Sequence, residues 1–356
     1  MDLYKAIFNR NRPFLIAGPC SAESEEQMFK VARDLKSLTK TSILRAGIWK
    51  PRTRPLSFEG FGDTALDWLV KAGKENGLPT TVEVANKIHV ETALKAGVDV
   101  LWIGARTTVN PFTVQEIADA LSGTGIPVLV KNPVNPDLEL WIGAIERLQK
   151  AGLNQVAAVH RGFSYYNHIK YRNVPQWEIP IALRERMPDV PIICDPSHIS
   201  GSKGLIHSVS QKAMDLNFDG LMIEVHPQPE VAMSDAKQQI TPSELADLIQ
   251  NLVIRNHEVS PTIEDQLKEM RDKIAILDER IFELLSARMK MSAEVGAFKR
   301  EHHITIFQQE HWKQMLVKRL DSLDELALSD SFVRRLMDEI HQESIRHQTK
   351  VMNPKT

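Results

Sequence analysis

The chain has 356 residues, of which 42% are hydrophobic and 25% charged, with a formal net charge of −2. This ordinary globular composition excludes a disordered chain and a general polyanion binder, which needs a basic excess, so no nucleic-acid partner is expected. The length allows one large domain with a small one, or two medium ones.

Two cysteines, Cys20 and Cys194, cannot build a disulfide framework, which favours a reducing compartment. The start, MDLYKAIFNRNRP, lacks the apolar core of a signal peptide. No apolar run approaches the roughly 18–20 residues that span a bilayer. A cytoplasmic protein without a membrane partner is the expectation.

From residue 14 to 254, short apolar runs alternate with helical segments. The runs are FLIAGPC (14–20), SILRAGI (42–48), PTTVEV (79–84), VLWIGA (100–105), PVLVKN (127–132), QVAAVHRG (155–162), PIICDPSH (191–198) and GLMIEVHP (220–227). Each is nearly continuous in apolar residues, as parallel strands covered on both faces are. Amphipathic stretches such as SEEQMFKVARDLKSL and PSELADLIQNLVI lie between them, and glycines close helices in KAGVDV and KAGLNQV. Eight strand–helix repeats over about 240 residues predict an α/β fold, a (β/α)8 or TIM barrel spanning 1–254. The competing topology is a doubly wound open sheet, weakened by the lack of a dinucleotide-binding glycine fingerprint after the first strand.

After residue 254 no strand-like run appears. IRNHEVSPTIEDQ reads as a linker over 255–262, with Pro261 near a helix start and Thr262 as its N-cap. The remainder, 263–356, reads as an all-α three-helix domain. Apolar residues from Ile263 to Phe298 recur at spacings of three and four, giving one helix on the order of 55 Å long. Shorter helices are expected near 308–322 and 329–350. A stripe this long cannot be covered by two short partners, so a coiled coil or an intertwined homodimer through this domain is expected.

Catalytic groups of a (β/α)8 barrel sit where strands end and the next loops begin. Those positions hold Cys20, Arg45 with Lys50 and Arg52, Glu83, Arg106, Lys131, His160 with Arg161, Asp195 with His198, and Glu224 with His226; Asp235 follows. Five or six cations converging on one rim repel each other unless they bind anions, so a ligand carrying phosphate and carboxylate is implied. Cys20, His198, Glu224 and Asp235 form a second subset. Strands one and eight are neighbours in a closed barrel, so a thiolate, an imidazole and two carboxylates can close on one divalent ion: manganese, iron, zinc or cobalt. Cys194 lies within an apolar strand and reads as core packing.

The motifs AGPCS, RAGIWKPRTRP, GARTTVNP, LVKNP, HRGFS, DPSH and IEVHPQPEVAMSDAKQQ, in unbroken order over about 14–250, closely resemble the 3-deoxy-D-arabino-heptulosonate 7-phosphate (DAHP) synthases of type I beta. The resemblance implies a barrel that condenses phosphoenolpyruvate with erythrose 4-phosphate and releases phosphate, at the entry to the shikimate pathway. It implies Cys20, His198, Glu224 and Asp235 as metal ligands, and Arg106, Lys131 and Arg161 at phosphoenolpyruvate, with Arg45 and Lys50 lining the same pocket. Lys50, Arg52 and Thr53 fall in the segment that grips erythrose 4-phosphate. The nearest rival is the related 3-deoxy-D-manno-octulosonate 8-phosphate synthase, which takes arabinose 5-phosphate; the KPRT segment favours the four-carbon aldehyde.

In the tail, EMRDKIAILDERIFELLSARMKMSAEVGAFK and ESIRHQ resemble the first and last helices of the all-helical chorismate mutases. The resemblance places Arg271, Arg288, Lys299, Ser344 and Gln348 on that family's site positions, with chorismate as substrate and prephenate as product. At about 100° per residue, Arg288 and Lys299 point within roughly 20° of each other while Arg271 is off by about 100°, so Arg271 is expected to serve a partner subunit's pocket. Arg288 replaces an apolar residue on the stripe, where a charge is costly unless it meets an anion. Where that family carries acidic and arginine residues at the start of its second helix, this chain reads FQQEHWKQ, with Gln308, His311 and Trp312, which leaves Glu310, after a small shift, to meet the substrate hydroxyl. The second reading of the tail is a non-catalytic sensor of chorismate or prephenate. With only about 13 residues before the first strand, no separate N-terminal regulatory domain is expected. Feedback inhibition of the barrel by prephenate is expected instead, which requires ligand affinity to differ between two arrangements of the chain.

Overall fold

The computed structural model describes residues 2–8, 13–50, 58–166, 170–255, 260–321 and 327–353. Eight parallel strands, β1 (Phe14–Gly18), β2 (Ile43–Ala46), β3 (Thr80–Val84), β4 (Val100–Ile103), β5 (Val128–Lys131), β6 (Val156–His160), β7 (Ile192–Cys194) and β8 (Gly220–Glu224), pair in sequence order and close on themselves. The ring closes through β1 and β8, with Phe14 opposite Gly220 and Gly18 opposite Glu224. This closure excludes the open doubly wound sheet.

The continuous apolar runs acquire a physical reason here. Side chains alternate across a strand, and both faces are covered. One set, including Phe14, Ile16, Ile43, Trp102, Leu129 and Met222, packs in one buried cluster. The alternate set, including Leu15, Ala17, Leu44, Leu101 and Val130, packs in a second cluster with residues of the surrounding helices.

The helices of this unit are α1 (Leu3–Phe8), α2 (Glu25–Leu38), α3 (Asp63–Asn76), α4 (Lys87–Ala96), α5 (Ala105–Thr108), α6 (Pro111–Leu121), α7 (Leu138–Lys150), α8 (Glu178–Arg186), α9 (Pro196–Ser200), α10 (Ile206–Asp215) and α11 (Pro242–Asn251). Helix α2 buries Met28, Val31, Ala32 and Leu35, the i, i+3, i+4, i+7 face its sequence encodes. Asn86, Asp137 and Thr241 cap the helices that follow them, Thr241 in a full capping box with Glu244. Helix α1 departs from the sequence reading, which sees no element there. It puts Leu3 and Ile7 into the first cluster, held by Leu3 N donating to Gln155 Oε1 at 2.5 Å and Tyr4 Oη donating to the Val156 carbonyl at 2.9 Å.

The chain divides into two compact units, 1–255 and 256–356. The second holds α12 (Pro261–Glu301), α13 (Gln309–Leu320) and α14 (Asp330–Met352). Ser260, not Thr262, is the N-cap of α12, with Pro261 in the first turn, so part of the expected linker belongs to the helix. Among the described residues, no helix is long and apolar enough to cross a membrane.

Candidate active sites

The register of β1 against β8 decides the first site. Because Gly18 lies opposite Glu224, Cys20 comes to rest beside the end of β8. Cys20 Sγ and carboxylate oxygens of Glu224 and Asp235 lie within 4.8 Å of one another. His198, in α9 just after β7, stands outside that 4.8 Å group and borders it at Glu224, its Nε2 3.7 Å from Glu224 Oε1. Its Nδ1 is 2.8 Å from Asp195 Oδ2. A carboxylate at one ring nitrogen of a histidine fixes which nitrogen is left for a ligand, here Nε2.

The glutamines of the KQQ run hold this cluster. Gln238 donates to Glu224 Oε2 at 2.6 Å, and Gln239 Oε1 accepts from Cys20 N at 2.9 Å. Arg172 donates to Asp235 Oδ1 at 3.0 Å and to Gln238 Oε1 at 2.6 Å. Asp235 itself has φ +48°, a left-handed conformation that aspartate tolerates better than most residues.

The donor set fits a divalent cation. Glu224 Oε1 is buried and accepts no hydrogen bond among the described residues, although Arg45 Nη1 stands 3.3 Å away. Burial, and then the charge of Glu224, pushes the Cys20 thiol up to about 12. Burial alone raises the Asp235 carboxyl, but Arg172, with His198 and Lys50, outweighs it and holds the group well below the usual carboxylate range. A thiol, an imidazole nitrogen and two carboxylates around an unsatisfied oxygen are ligands suited to an ion of borderline softness.

Beside this cluster opens a cavity of about 790 Å³ lined by Glu83, Arg106, Lys131, Arg161, Arg172 and His198 among others. Arg161 is oriented at both ends: its backbone N donates to Asn132 Oδ1 and its Nη1 to Asn173 Oδ1, each at 2.7 Å. Burial lowers its pKa to about 10, with the charges of Arg172 and Arg106 adding to the effect. Cations that destabilise one another in this way form a receptor for anions. Lys131 Nζ pairs with Asp195 Oδ2 at 2.8 Å, so Asp195 links the cation-lined cavity to His198.

The sequence-assigned residues do not all line that cavity. Arg45 is only 1% exposed, and its guanidinium lies over Trp102 at 4.9 Å and donates to the Cys20 carbonyl at 3.4 Å. Its Nη1, 3.3 Å from Glu224 Oε1, puts a counter-charge beside that carboxylate, and Arg45 is not among the residues lining the cavity. Lys50 Nζ donates to the Cys20 carbonyl and sits 3.1 Å from Cys20 Sγ. Arg52 and Thr53 lie outside the described residues, as does the His311 side chain. His160, which the sequence puts on the rim, is fully buried among Trp141, Phe163, Trp177 and Phe218, with ring centroids 5.2–6.3 Å away. Burial, reinforced by Arg161, lowers its pKa to about 3. Cys194 packs in the outer core. Arg172 is the functional neighbour that sequence reasoning missed; its loop has neither periodicity nor a spacing signal.

In the helical unit, a second cavity of about 280 Å³ is lined by Arg288, Lys299, Trp312, His341, Ser344 and Gln348 among others. Arg288 Nη1 donates to Ser344 Oγ, and Lys299 Nζ donates to the Ile306 carbonyl at 2.6 Å. Gly296 permits α12 and α14 to meet here, because a Cβ on it would stand 2.9 Å from Gln348 Cα. Four of the five sequence-assigned residues thus share one pocket. Arg271 is outside it, exposed and paired with Glu264 at 3.1 Å.

A closed parallel barrel with its polar cluster at the carboxyl ends of the strands defines a (β/α)8 enzyme scaffold. The chain belongs to the DAHP synthetase I family, whose model matches residues 6–257, and the chorismate mutase type II model matches residues 270–349. The two units are thus a DAHP synthase and a chorismate mutase. Among similar proteins is a phospho-2-dehydro-3-deoxyheptonate aldolase of Thermotoga maritima, 30% identical over 238 residues, covering 67% of this chain and 68% of the relative. A 2-dehydro-3-deoxyphosphooctonate aldolase of Desulfotalea psychrophila is 29% identical over 261 residues, covering 67% of this chain and 88% of the relative. The crystal structure of a DAHP synthase from Thermotoga maritima superposes with a TM-score of 0.60 at 28% identity, covering 67% of each chain.

Proposed function

We propose that the barrel condenses phosphoenolpyruvate with erythrose 4-phosphate, and that it does so with one divalent ion held by Cys20, His198, Glu224 and Asp235. The observation that carries this reading is the adjacency of the donor cluster to the cation-lined cavity, with Asp195 touching both Lys131 and His198. The ion would polarise the aldehyde carbonyl as a Lewis acid. Arg106, Lys131 and Arg161, joined by Arg172, bind the phosphate and carboxylate of phosphoenolpyruvate and fix the face its carbon 3 presents. Carbon 3 attacks the aldehyde, water adds at carbon 2, and the bond from carbon 2 to the phosphate oxygen breaks to release phosphate. Lys50, reaching the cluster at Cys20, supplies the proton to the new hydroxyl. A coupled assay offering erythrose 4-phosphate and arabinose 5-phosphate in parallel tests the reading. Faster phosphoenolpyruvate consumption with the five-carbon aldehyde would assign the octulosonate reaction, which the similarity to octulosonate aldolases makes the necessary control.

In the helical unit, Arg288 clamps a carboxylate of chorismate while Lys299 and Gln348 hydrogen-bond its ether oxygen as the bond lengthens toward prephenate. A second copy of the chain pairs through α12, whose Met270, Ile274, Leu277, Ile281 and Leu284 are each more than half exposed. Arg271, outside its own pocket, then serves the partner's. Prephenate in this pocket inhibits the barrel. Binding without turnover would leave the helical unit a sensor, and unchanged synthase kinetics with prephenate would remove the regulatory reading. Free, buried Cys20 and Cys194 suit a reducing cytoplasm.

A further inference from the structure

The helical pocket offers only uncharged side-chain acceptors among its described lining residues. Chorismate carries two carboxylates, an ether oxygen and a ring hydroxyl. Arg288 and Lys299 only donate. Ser344 Oγ already accepts from Arg288 and donates to the Ile340 carbonyl at 2.7 Å. Among the described residues lining the cavity, none is a carboxylate. The ring hydroxyl, which is a donor, must find an uncharged acceptor.

Among the described residues, two buried side-chain atoms lining this cavity have no hydrogen-bond partner: Gln348 Oε1 and His341 Nε2. An ether oxygen only accepts, so Gln348 meets it through Nε2, and its Oε1 is turned to the opposite side of the amide. His341 has no such assignment, and its ring is the more rigidly held of the two. It stacks on Trp312 with centroids 4.0 Å apart and planes 21° from parallel. The ring of Phe307 approaches it at 5.8 Å. Two aromatic contacts from different segments fix an imidazole plane without using its nitrogens.

We propose that His341 is a specificity-determining residue of the mutase pocket, its Nε2 accepting the hydrogen bond of the ring hydroxyl while Trp312 holds its plane. The inference rests on the mutase reading of the pocket and adds to it the group that recognises the hydroxyl. Burial, then the charges of Arg288 and Lys299, lowers the His341 pKa against the opposing pull of Asp338. The ring is therefore neutral near pH 7 and keeps one nitrogen lone pair.

The test uses the full-length protein and two non-reacting bicyclic ether dicarboxylates, one bearing the ring hydroxyl and one lacking it. The native chain should bind the hydroxylated compound roughly tenfold more tightly, the scale of one neutral hydrogen bond. His341→Leu should erase that preference, raise KM for chorismate more than it lowers kcat, and leave the inhibition constant of the hydroxyl-free compound within about twofold. That last value also reports an intact pocket. His341→Gln, which can return an amide oxygen to the site of Nε2, should restore part of the preference. If His341→Leu keeps the native preference, the inference fails and the mutase reading stands. If the native chain binds neither compound and leaves chorismate unchanged, the mutase reading falls and the inference with it.

Discussion

Replacing Asp195 by asparagine removes one charge on which two different groups depend. Asparagine caps a helix as well as aspartate does, so the bond from His198 N to Oδ1 at 3.1 Å survives and the fold of α9 is preserved. What disappears is the counter-charge of Lys131, which is 4% exposed and 2.8 Å away. Stranding one member of a buried pair costs about 3–5 kcal/mol. At roughly 2–4 °C per kcal/mol for a unit of this size, the melting temperature of the barrel should fall by several degrees or more. A second loss is separate. His198 Nδ1, 2.8 Å from Oδ2 and 3.0 Å from Oδ1, then keeps only a neutral oxygen already shared with His198 N, and this weaker hold lowers metal affinity by about 10–100-fold. Thermal unfolding reads the first effect, and competition with a chelating dye reads the second. Removing the stranded charge as well, in Lys131→Met/Asp195→Asn, should recover most of the stability and none of the metal affinity. Native metal affinity in Asp195→Asn would refute the claim that Asp195 orients His198, and an unchanged melting temperature would refute its pairing with Lys131.

Dialysis against a chelator should abolish DAHP formation and added manganese, zinc or cobalt should restore it; Cys20→Ala should not recover under the same additions, and full recovery would remove Cys20 from the ligand set. His160 makes the barrel acid-sensitive. Its folded pKa, about 3, lies below the ordinary value of 6.5, so the unfolded chain binds the proton first. Its contribution is intact above pH 6.5 and is lost as the pH falls toward 3, by about 1.4 kcal/mol per unit, or roughly 2.7 kcal/mol at pH 4.5. Denaturant midpoints of native chain and His160→Leu at pH 7 and 4.5 check this; equal acid losses in both would clear His160. Arg288→Ala should lower kcat/KM for chorismate by about 10²–10³-fold, the scale of one lost charged donor to a substrate carboxylate, roughly 3–4 kcal/mol. A tenfold or smaller change would move the carboxylate clamp elsewhere.

The barrel strands were legible because a buried parallel strand has one simple signature, and FLIAG, VLWI and VAAVH each show it without interruption. The meeting of Cys20 with Glu224 and Asp235 was legible from topology alone, since a closed ring makes first and last strands neighbours. His160 was not, because polarity at a strand end looks the same whether the ring turns to solvent or into a nest of aromatics. The depth of Arg45 was illegible for a related reason: strand order places a cation near the rim but says nothing of how far it is buried beside Glu224. Helix α1 carries six residues, too few for a helical period to declare itself. Arg172 sits in irregular backbone, where only the folded loop reveals its grip on Asp235.

The pairing of Gly18 with Glu224 has a bearing on how the protein is made. A ribosome releases Cys20 early, yet its companions Glu224, Asp235 and Gln239 emerge more than two hundred residues later. A half-translated cylinder therefore presents an isolated thiol and no grip for an ion. The donor set is complete only when the final stave slides in beside the first, so the ion proposed above would be captured by a finished barrel and not by a growing one.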